Sequence, residues 1–453
     1  MTTRRLFLGA AAGAGVAFPS LQVPRRRPNF IVIYTDDHGF GDLGCQGARD
    51  MKTPNFDALA EGGARFTNWH AAAPMCAPSR AALMTGRYPI RCGVPINGPS
   101  LPTGERTLAD VLKAQGYSTA LFGKWHLGSD DQTAPNARGF ERFFGFHSGC
   151  IDFYSHRYYW GEPRRVNYHD LWRNRTEVFE DGRYMTEMIT AEARKFLLET
   201  RDKPFFLYLA YNAPHYPMHA PPKYVERFPE LARERQMYAA MVAAVDDGVG
   251  EVMETLAKTG QRENTFMFYA ADNGATREPR AGLDAQPAKG GLNGPLRGFK
   301  FSLFDGGMHV PAILNWPARI PPRQVIREAG CTIDVLPTFC RAAGAPLPPG
   351  RTIDGRDALP MAAEKAKSPH EALYWSSDGQ HAVRRANWKL VMNGFSADGT
   401  PDGRRKLSGD DAMFLSDLDR DPGETNNLRR LHPGVVDELA TLSEKWREEV
   451  KTP

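Results

Sequence analysis

Four apolar runs of the chain are each followed by a short group of residues that could do chemistry. The groups are Asp36-Asp37-His38, Lys124-Trp125-His126, Ala213-Pro214-His215 and Asp272-Asn273-Gly274. Such groups supply metal ligands, cations that bind anions, and imidazoles that transfer protons. Each group taken alone is also typical of a turn, or of a polar residue that is simply hydrogen-bonded within the fold. Because ligands of an open α/β sheet bind beyond the carboxyl ends of its strands, the four groups together predict one site.

A metal site is predicted from the acidic members of these groups. Only oxygen ligands are offered by Asp36, Asp37, Asp272 and Asn273. Oxygen ligands favour a hard cation such as Ca²⁺ or Mg²⁺ over zinc. Three carboxylates that lie close together repel one another unless a cation lies between them. We therefore expect Ca²⁺, with Mg²⁺ as the alternative, acting as a Lewis acid on an anionic substrate.

Cys76 is the candidate nucleophile, at the start of the segment C-A-P-S-R that ends at Arg80. It precedes a helix predicted at residues 79–84, and Pro78 suits the first turn of that helix. A helix N-terminus favours anions through its free N–H groups and its positive dipole. Taken alone, such a cysteine is more often a small apolar core residue, so its assignment depends on the surrounding sequence.

The elements that must position these residues alternate along the chain. Strands are predicted at residues 30–34, 118–122, 205–209, 265–270 and 310–314. Helices are predicted at residues 55–61, 79–84, 108–115, 184–198, 236–259 and 333–343. This alternation predicts an α/β fold in which helices flank a large, mixed but mostly parallel sheet.

A Pro- and Gly-rich stretch at residues 344–349, followed by a polar irregular stretch, predicts a domain boundary. We divide the chain into an N-terminal signal and linker at residues 1–27, a catalytic domain at residues 28–345 and a small domain at residues 346–453. In the small domain, strands are predicted at residues 372–375, 380–385, 389–392 and 413–417, and a helix at residues 435–450. The pattern is typical of an α+β domain with an antiparallel sheet.

The chain resembles the sulfatase family of the alkaline-phosphatase-like superfamily. The family signature C-x-P-S-R is matched by Cys76, Pro78, Ser79 and Arg80, and the match continues through A-A-L-M-T-G-R-Y to Tyr88. It covers nearly the whole chain, including Gly123-Lys124-Trp125-His126, Asp305-Gly306-Gly307 and residues 418–428. The resemblance implies an alkaline-phosphatase-like fold and the activity of a sulfuric ester hydrolase.

In that family a separate maturation enzyme oxidises the signature cysteine to formylglycine, and the hydrated aldehyde supplies the nucleophilic hydroxyl. The resemblance therefore implies a formylglycine at Cys76. A geminal diol can expel sulfate by collapsing to the aldehyde, whereas a sulfated serine or cysteine would need a second attack by water.

The resemblance also implies a role for each residue of the site. The metal ligands would be Asp36, Asp37, Asp272, Asn273 and the modified Cys76. Arg80 and Lys124 would hold the diol and the sulfate, and His126 would help to remove the second diol proton. His215 and Lys300 would bind sulfate and protonate or neutralise the departing oxygen, and the choice of acid between them stays open.

One departure from the family concerns the surroundings of Lys300. The family usually carries glycines around this lysine, whereas Phe299 and Phe301 flank it in this chain. The carry-over of a function to Lys300 therefore depends on how the chain folds around these two side chains.

The candidate substrate-binding residues are Ser148, His156 and Tyr168. Ser148 is the nearest counterpart of a serine that contacts sulfate in some relatives. His156 and Tyr168 belong to a segment at residues 143–184 that is rich in aromatic and polar side chains. A glycan pocket is one interpretation of that segment, since aromatic rings stack on sugar faces, and a well-packed insertion is the other.

The first 27 residues contain five arginines and no acidic residue. They account for the net charge of +4, so the rest of the chain is near neutral and lacks the basic stripe of a nucleic-acid-binding protein. Arg4 and Arg5, followed by a Gly/Ala-rich apolar run, resemble a twin-arginine signal and predict export to the periplasm or the cell exterior. The run is too short and too weakly apolar for a stable membrane span.

Hydrolysis of a sulfate ester is the leading hypothesis, with a sulfated saccharide favoured over a small aryl sulfate. The enzymatic alternative is a phosphonate or phosphate monoester hydrolase on the same scaffold. The non-catalytic alternative is a sulfated-glycan-binding protein that is never matured at Cys76. The sequence indicates neither the sugar nor the oligomeric state.

Overall fold

The computed structural model describes residues 27–159, 167–284, 286–396 and 404–451. The arginine pair of the predicted export signal lies outside the described residues, as do residues 160–166 of the aromatic segment. Within the described part of the chain, no helix combines the length and the apolar character that crossing a membrane requires.

The described strands are β1 (Asn29–Thr35), β2 (Ala64–Phe66), β3 (Trp69–His70), β4 (Ser118–Lys124), β5 (Arg142–Phe146), β6 (Trp172–Arg173), β7 (Thr176–Glu177), β8 (Phe205–Ala210), β9 (Thr265–Ala271), β10 (Ala312–Asn315), β11 (Gln324–Ile326), β12 (Gly330–Cys331), β13 (Leu373–Ser377), β14 (Gln380–Arg385), β15 (Trp388–Met392) and β16 (Met413–Asp417).

The described α-helices are α1 (Pro54–Glu61), α2 (Cys76–Thr85), α3 (Leu108–Ala114), α4 (Met185–Glu199), α5 (Pro222–Val225), α6 (Arg233–Lys258), α7 (Asp305–Met308), α8 (Val335–Ala343), α9 (Leu359–Glu364) and α10 (Pro433–Glu449). Every strand and helix predicted from the sequence has a counterpart among these elements, with ends that differ by at most three residues.

Ten strands of the described chain form one large sheet, in the order β11-β2-β10-β9-β1-β8-β4-β5-β6-β7. β1 lies near its centre and pairs in parallel with β8 and β9, and β4 pairs in parallel with β8 and β5. β10 runs antiparallel to β9, so the predicted mixed, mostly parallel sheet is confirmed. Because β1, β4, β8 and β9 run in the same direction, their carboxyl ends meet at one edge.

The central strands are apolar because helices cover both faces of the sheet. In β1 all seven residues are buried, with Phe30, Val32 and Tyr34 on one face and Ile31 and Ile33 on the other. α2, α3 and α8 pack on the first face, and α1, α4 and α6 pack on the second. Each large apolar side chain buried in this way contributes about 1.5–3 kcal/mol to stability.

The C-terminal sheet contains β13, β14, β15 and β16, all antiparallel, as predicted. α10 covers it through Val436 and Leu439. In contrast, α9 places Met361 and Ala362 in the core of the large sheet, and the antiparallel sheet begins only at Leu373. The division at residue 345 stays a prediction, and α9, which lies beyond it, packs against the large sheet.

Candidate active site

The carboxyl edge of the large sheet gathers the predicted catalytic and metal-binding residues. The side chains brought together there are Asp36, Asp37, Cys76, Arg80, Lys124, His126, His215, Asp272, Asn273 and Lys300. All of them except His126 are buried. The site is therefore enclosed, with charged groups held away from bulk water.

The first turn of α2 presents Cys76 and Arg80. Cys76 is the first residue of this helix, so the helix begins three residues before the predicted start. The Ala77 N–H donates to Asn97 Oδ1 at 2.9 Å. Because residues four apart lie on one side of a helix, Cys76 and Arg80 face the same neighbour. Cys76 Sγ lies 3.3 Å and Arg80 Nη2 3.8 Å from Asp36 Oδ1.

The thiol of Cys76 is poorly suited to act as a nucleophile itself. Burial, together with the carboxylates of Asp272 and Asp36, raises its pKa well above the ordinary value. Since the thiolate is the reactive form of cysteine, a buried thiol beside acidic groups stays protonated and unreactive. The geometry therefore puts residue 76 in place for chemistry but disfavours chemistry at a free thiol.

Arg80 is fully buried and is fixed from several directions. Its Nε and Nη2 atoms donate to Asp272 Oδ2 at 3.1 and 2.8 Å. Nη1 donates to the Lys124 carbonyl and to the Tyr208 hydroxyl, both at 3.4 Å. The guanidinium also lies 5.5 Å from the centre of the Tyr34 ring. A guanidinium held in this way is a preorganised oxyanion ligand.

Lys124 and Asp36 form a buried ion pair across β4 and β1. Lys124 Nζ donates to Asp36 Oδ2 at 2.6 Å, and neither side chain is exposed. Burial acts to raise the pKa of Asp36, but the positive charges of Lys124 and Arg80 outweigh it and hold the pKa well below the usual range. Asp36 is therefore an anion in the folded protein.

The other two carboxylates behave differently. Burial raises the pKa of Asp37 to about 6, against the opposing charge of Lys300, and raises the pKa of Asp272 to about 7. The neighbouring Asp36 carboxylate adds to both shifts. A cation bound among the three carboxylates would favour their ionised forms.

Asp37 joins the ends of β1 and β9. Its φ of +58° lies in the left-handed region, which aspartate tolerates better than most residues. The Asp37 N–H donates to Asp272 Oδ1 at 3.2 Å, and Asn273 Nδ2 donates to Asp37 Oδ1 at 2.7 Å. Lys300 Nζ donates to Asp37 Oδ2 at 2.9 Å.

The donor set fits a hard divalent cation. Ligand atoms of Asp36, Asp37, Cys76 and His215 lie within 4.8 Å of one another. Among the described residues, the Oδ1 atom of Asn273 is buried and has no hydrogen-bond partner. Carboxylates joined by one neutral amide oxygen are typical ligands of Ca²⁺ or Mg²⁺.

His215 and Lys300 meet beside Asp37. His215 Nδ1 donates to the Tyr216 carbonyl at 2.7 Å, which leaves Nε2 free to accept from Lys300 Nζ at 3.3 Å. Burial lowers the pKa of His215 well below the ordinary value, and the charge of Lys300 adds to this. Although burial opposes it, Asp37 raises the pKa of Lys300 well above the ordinary value. The pair is therefore a neutral imidazole beside an ammonium group.

His126 packs against the backbone of Gly149. A Cβ atom at Gly149 would lie 2.7 Å from His126 Nε2, so glycine is required for this close approach. Nδ1 of His126 is buried without a hydrogen-bond partner in the described part of the chain. Burial, with the charges of Lys124 and Arg80, lowers the pKa of His126 well below the ordinary value. Its imidazole is therefore neutral and able to accept a proton.

Two of the three predicted substrate-binding residues lie on this side of the site. Ser148 precedes Gly149, and its hydroxyl donates to the Cys150 carbonyl at 3.2 Å. The side chain of Tyr168 lies close to that of Ser148. Tyr168 is 48% exposed and stacks on Tyr158 with ring centres 5.0 Å apart.

The structure does not bring His156 to the site. Its side chain is fully buried, and Nε2 lies 3.0 Å from the Arg183 carbonyl. Its ring packs edge to face against His169. His156 is therefore a packing residue of the insertion, because no side of its ring is open to a substrate.

Sequence reasoning missed Tyr208 and Asn97, which hold Arg80 and the first turn of α2. Tyr208 is a single hydroxyl within the apolar run of β8, and that irregularity could have marked it. Asn97 lies in a Gly- and Pro-rich loop, where the sequence carries no comparable signal.

Fold and site together define a class of protein. The carboxyl edge of the mixed sheet carries oxygen ligands and two lysines, and α2 brings Cys76 and Arg80 to the same place. This is the arrangement of an alkaline-phosphatase-like ester hydrolase. Both lysines and the arginine would meet an anionic group.

The chain belongs to the sulfatase family, whose sequence model matches residues 28–345. Human arylsulfatase A is 34% identical over 94% of this chain and 86% of that protein. Human N-acetylgalactosamine-6-sulfatase is 32% identical over 88% of this chain and 80% of that protein. The crystal structure of Ps i-CgsB in complex with k-i-k-neocarrahexaose superposes with a TM-score of 0.82 at 31% identity, covering 93% of both chains. The protein is a sulfatase, an enzyme that hydrolyses sulfate esters.

Proposed function

We propose that this sulfatase acts on a sulfated saccharide through a formylglycine hydrate made from Cys76. The observation that carries the proposal is the position of Cys76 at the start of α2, 3.3 Å from Asp36 and one helical turn before Arg80. A thiolate is disfavoured there, whereas the hydroxyl of a hydrated aldehyde would be reactive. A separate maturation enzyme would oxidise the cysteine.

A divalent cation would complete the site. Asp36, Asp37 and the modified residue 76 would hold it, since the ligand atoms of Asp36, Asp37 and Cys76 lie within 4.8 Å of one another. Asp272 and Asn273, which are hydrogen-bonded to Asp37, would complete the ligand set, and Ca²⁺ is preferred with Mg²⁺ as the alternative. When bound, the cation would act as a Lewis acid on a sulfate oxygen. The buried, unpartnered Oδ1 of Asn273 and the raised pKa of Asp272 support this part of the proposal.

The first half of the reaction transfers the sulfate to residue 76. A neighbouring carboxylate would take the proton from one hydroxyl of the hydrate as that hydroxyl bonds to sulfur and the bond between sulfur and the ester oxygen breaks. Arg80 and Lys124 hold the sulfate oxygens. The ester oxygen leaves with the bonding electron pair, and the paired His215 and Lys300 supply a proton or a neutralising charge.

The second half releases the sulfate. His126 would accept the proton of the remaining hydroxyl as the carbonyl of the aldehyde forms and the carbon–oxygen bond to sulfate breaks. The neutral imidazole of His126, with its unpartnered Nδ1, supports this role. Water then adds to the aldehyde and restores the hydrate.

A saccharide is the favoured substrate because aromatic rings lie beside the site. Tyr168 and Tyr158 stack with their planes 9° apart, and Tyr216 lies next to His215 with the guanidinium of Arg280 5.5 Å from its ring centre. Rings and cations of this kind suit the faces and the charged groups of a sulfated sugar. The neocarrahexaose complex of Ps i-CgsB supports the same substrate class.

We also propose that the enzyme acts outside the cytoplasm after export by a twin-arginine route. Arg4 and Arg5 with the following apolar run support this proposal. Export of the folded chain would allow maturation at Cys76 to precede it. Fusion of residues 1–27 to a reporter, with an Arg4→Lys, Arg5→Lys pair as the control, tests the route.

Mass spectrometry of the peptide that contains Cys76 tests the proposed nucleophile. In enzyme from its native host, we expect residue 76 to be formylglycine, with an aldehyde in place of the cysteine thiol. An unmodified thiol in fully active enzyme would contradict the proposal. Comparison of aryl sulfate with aryl phosphonate turnover tests the substrate class, and faster phosphonate cleavage would favour the alternative hydrolase.

A further inference from the structure

Lys300 differs from the other cations of the site because a loop carries it. Arg80 belongs to α2 and Lys124 ends β4, whereas Lys300 lies between β9 and α7. The next residue, Phe301, has a φ of +76°, in the left-handed region that residues with side chains rarely adopt. The surrounding structure must hold Phe301 in this conformation if Lys300 is to keep its contacts.

Gln380 of the C-terminal sheet holds Phe301 in this conformation. It is the first residue of β14 and is fully buried. Its Nε2 donates to the Phe301 carbonyl at 2.8 Å, and its Oε1 accepts from the Leu303 N–H at 3.4 Å and the Phe395 N–H at 3.1 Å. One side chain thus joins both sides of the turn that follows Lys300.

Main-chain bonds hold the same loop from the catalytic domain. The Lys300 N–H donates to the Ala275 carbonyl at 3.1 Å, and the Phe301 N–H donates to the Pro74 carbonyl at 2.7 Å. These carbonyls lie just beyond β9 and just before α2. Gln380 therefore completes a frame in which the loop is fixed against the metal-binding strand end, the nucleophile helix and the C-terminal sheet.

We infer that Gln380 is a positioning residue for Lys300, and that it sets where Lys300 Nζ meets the departing ester oxygen. The inference rests on the proposed function, in which Lys300 neutralises that oxygen. Gln380 bonds to the backbone of the turn at Phe301, so its effect reaches the reaction through the position of Lys300. The C-terminal domain thereby contributes to the leaving-group side of catalysis.

The first test replaces Gln380 by methionine, which keeps the side-chain length and removes its three hydrogen bonds. We expect kcat to fall about tenfold for phenyl sulfate and less than about threefold for para-nitrophenyl sulfate, because a displaced Lys300 matters most for a poor leaving group. Rates are measured on the full chain and normalised to its formylglycine content. A role in folding alone would lower both rates by the same factor.

Gln380→Glu is the second variant, and it remains informative where methionine prevents folding. Glutamate keeps the shape and the acceptor oxygen for Leu303 and Phe395 but cannot donate to the Phe301 carbonyl as a carboxylate. We expect the same change in the ratio of the two kcat values. An unchanged ratio in both variants overturns the inference.

A double-mutant cycle with Lys300→Met shows whether Gln380 acts through Lys300. In the Lys300→Met background, Gln380→Met should leave the phenyl to para-nitrophenyl ratio unchanged. A further change of the same size overturns the inference. If Lys300→Met itself leaves the ratio unchanged, the proposed role of Lys300 fails as well. If the ratio responds to Lys300→Met but not to Gln380→Met, the inference alone fails.

Arg384→Met is the matched control on the same strand. Arg384 also ties β14 to the catalytic domain, since its Nη1 donates to Asn68 Oδ1 at 2.6 Å, but it does not bond to the Lys300 loop. We expect a lower melting temperature and an unchanged ratio of the two kcat values. A changed ratio would show that weakening any contact between β14 and the rest of the chain alters the ratio, and it would overturn the specific role of Gln380.

Discussion

The active site has two halves that are built in different ways. In the first half the side chains follow strands or lie on α2: Asp36, Asp272, Lys124 and Arg80 are entirely buried and neutralise one another through ion pairs. Such a half is rigid because the parallel core of the sheet fixes every strand end. It is suited to holding charge that is common to all sulfate esters.

The second half is built from loops. His215 is held by the Tyr216 carbonyl, Lys300 by a turn that Gln380 bonds to, and Tyr168 is half exposed. Backbone contacts and a side chain of the C-terminal sheet, rather than strand ends, fix this half. A substitution in the strand half should therefore lower the turnover of every sulfate ester by a similar factor. A substitution in the loop half should lower turnover by a factor that depends on the substrate.

The largest effect is expected at Cys76 of the strand half. Cys76→Ala should lower turnover of all sulfate esters by about 10⁴-fold or more, because in the proposed mechanism no other residue can supply the hydrate. The melting temperature should stay near that of the parent enzyme, since a small buried side chain replaces another. Activity within tenfold of the parent would place the nucleophile elsewhere.

Asn273→Ala should sharpen the metal assignment without leaving a buried charge unpaired. We expect the Ca²⁺ concentration that gives half-maximal activity to rise about 100-fold, and millimolar Ca²⁺ to restore most of kcat. Titration of chelator-treated enzyme with Ca²⁺ measures this. Asn315→Ala is the control, because Asn315 is equally buried but ends β10 towards the opposite edge of the sheet. An unchanged Ca²⁺ requirement would remove Asn273 from the ligand set.

Lys124→Met and Lys300→Met compare the two halves directly. Lys124→Met should lower kcat for phenyl and para-nitrophenyl sulfate by a similar factor, because Lys124 holds sulfate oxygens in the proposed mechanism. Lys300→Met should lower kcat about 100-fold for phenyl sulfate and about tenfold for the nitrophenyl ester, because charge on a poor leaving oxygen needs neutralisation. The dependence of kcat on leaving-group pKa across substituted phenyl sulfates is the measurement. If log kcat depends on leaving-group pKa with the same slope in both variants, the two halves do not differ in the way proposed.

The strand half could be predicted from the sequence because its signals are local. An apolar run such as residues 30–34 is typical of a strand covered on both faces, and the polar residues after it are then expected at the sheet edge. The fold class, the C-terminal antiparallel sheet and the grouping of Asp36, Asp37, Asp272 and Asn273 followed from such runs.

The loop half could not be predicted in the same way, because long-range contacts determine it. Nothing in the sequence indicates that Gln380 bonds to the turn after Lys300, or that the ring of His156 is buried against the Arg183 carbonyl. The start of α2 was also displaced: the helix begins at Cys76, and its N-cap residue Met75 makes no side-chain hydrogen bond that the sequence could have signalled.

The smallest effect is expected where His70 contacts Arg384 of β14, and it should appear as a dependence of stability on pH. His70 is fully buried, its Nε2 accepts from Arg384 Nη1 at 3.3 Å, and Asp305 Oδ1 lies 3.7 Å away. Burial lowers the pKa of His70 to about 3, and the nearby positive charge of Arg384 adds to this. His70 is therefore neutral in the folded protein, whereas in the unfolded chain it binds a proton below about pH 6.5.

Because the unfolded chain binds this proton first, the contribution of His70 to stability is present above pH 6.5 and is lost as the pH falls towards 3. Between pH 7 and pH 5 the loss should amount to about 2 kcal/mol in the free energy of unfolding. The His70→Gln variant has no group that titrates at this position, so its free energy of unfolding, measured with urea, should fall by about 2 kcal/mol less between pH 7 and pH 5. At pH 8 the difference in the free energy of unfolding between the variant and the parent reports only the contacts that the substitution removes. Identical losses in both proteins would contradict a neutral His70 in the folded protein.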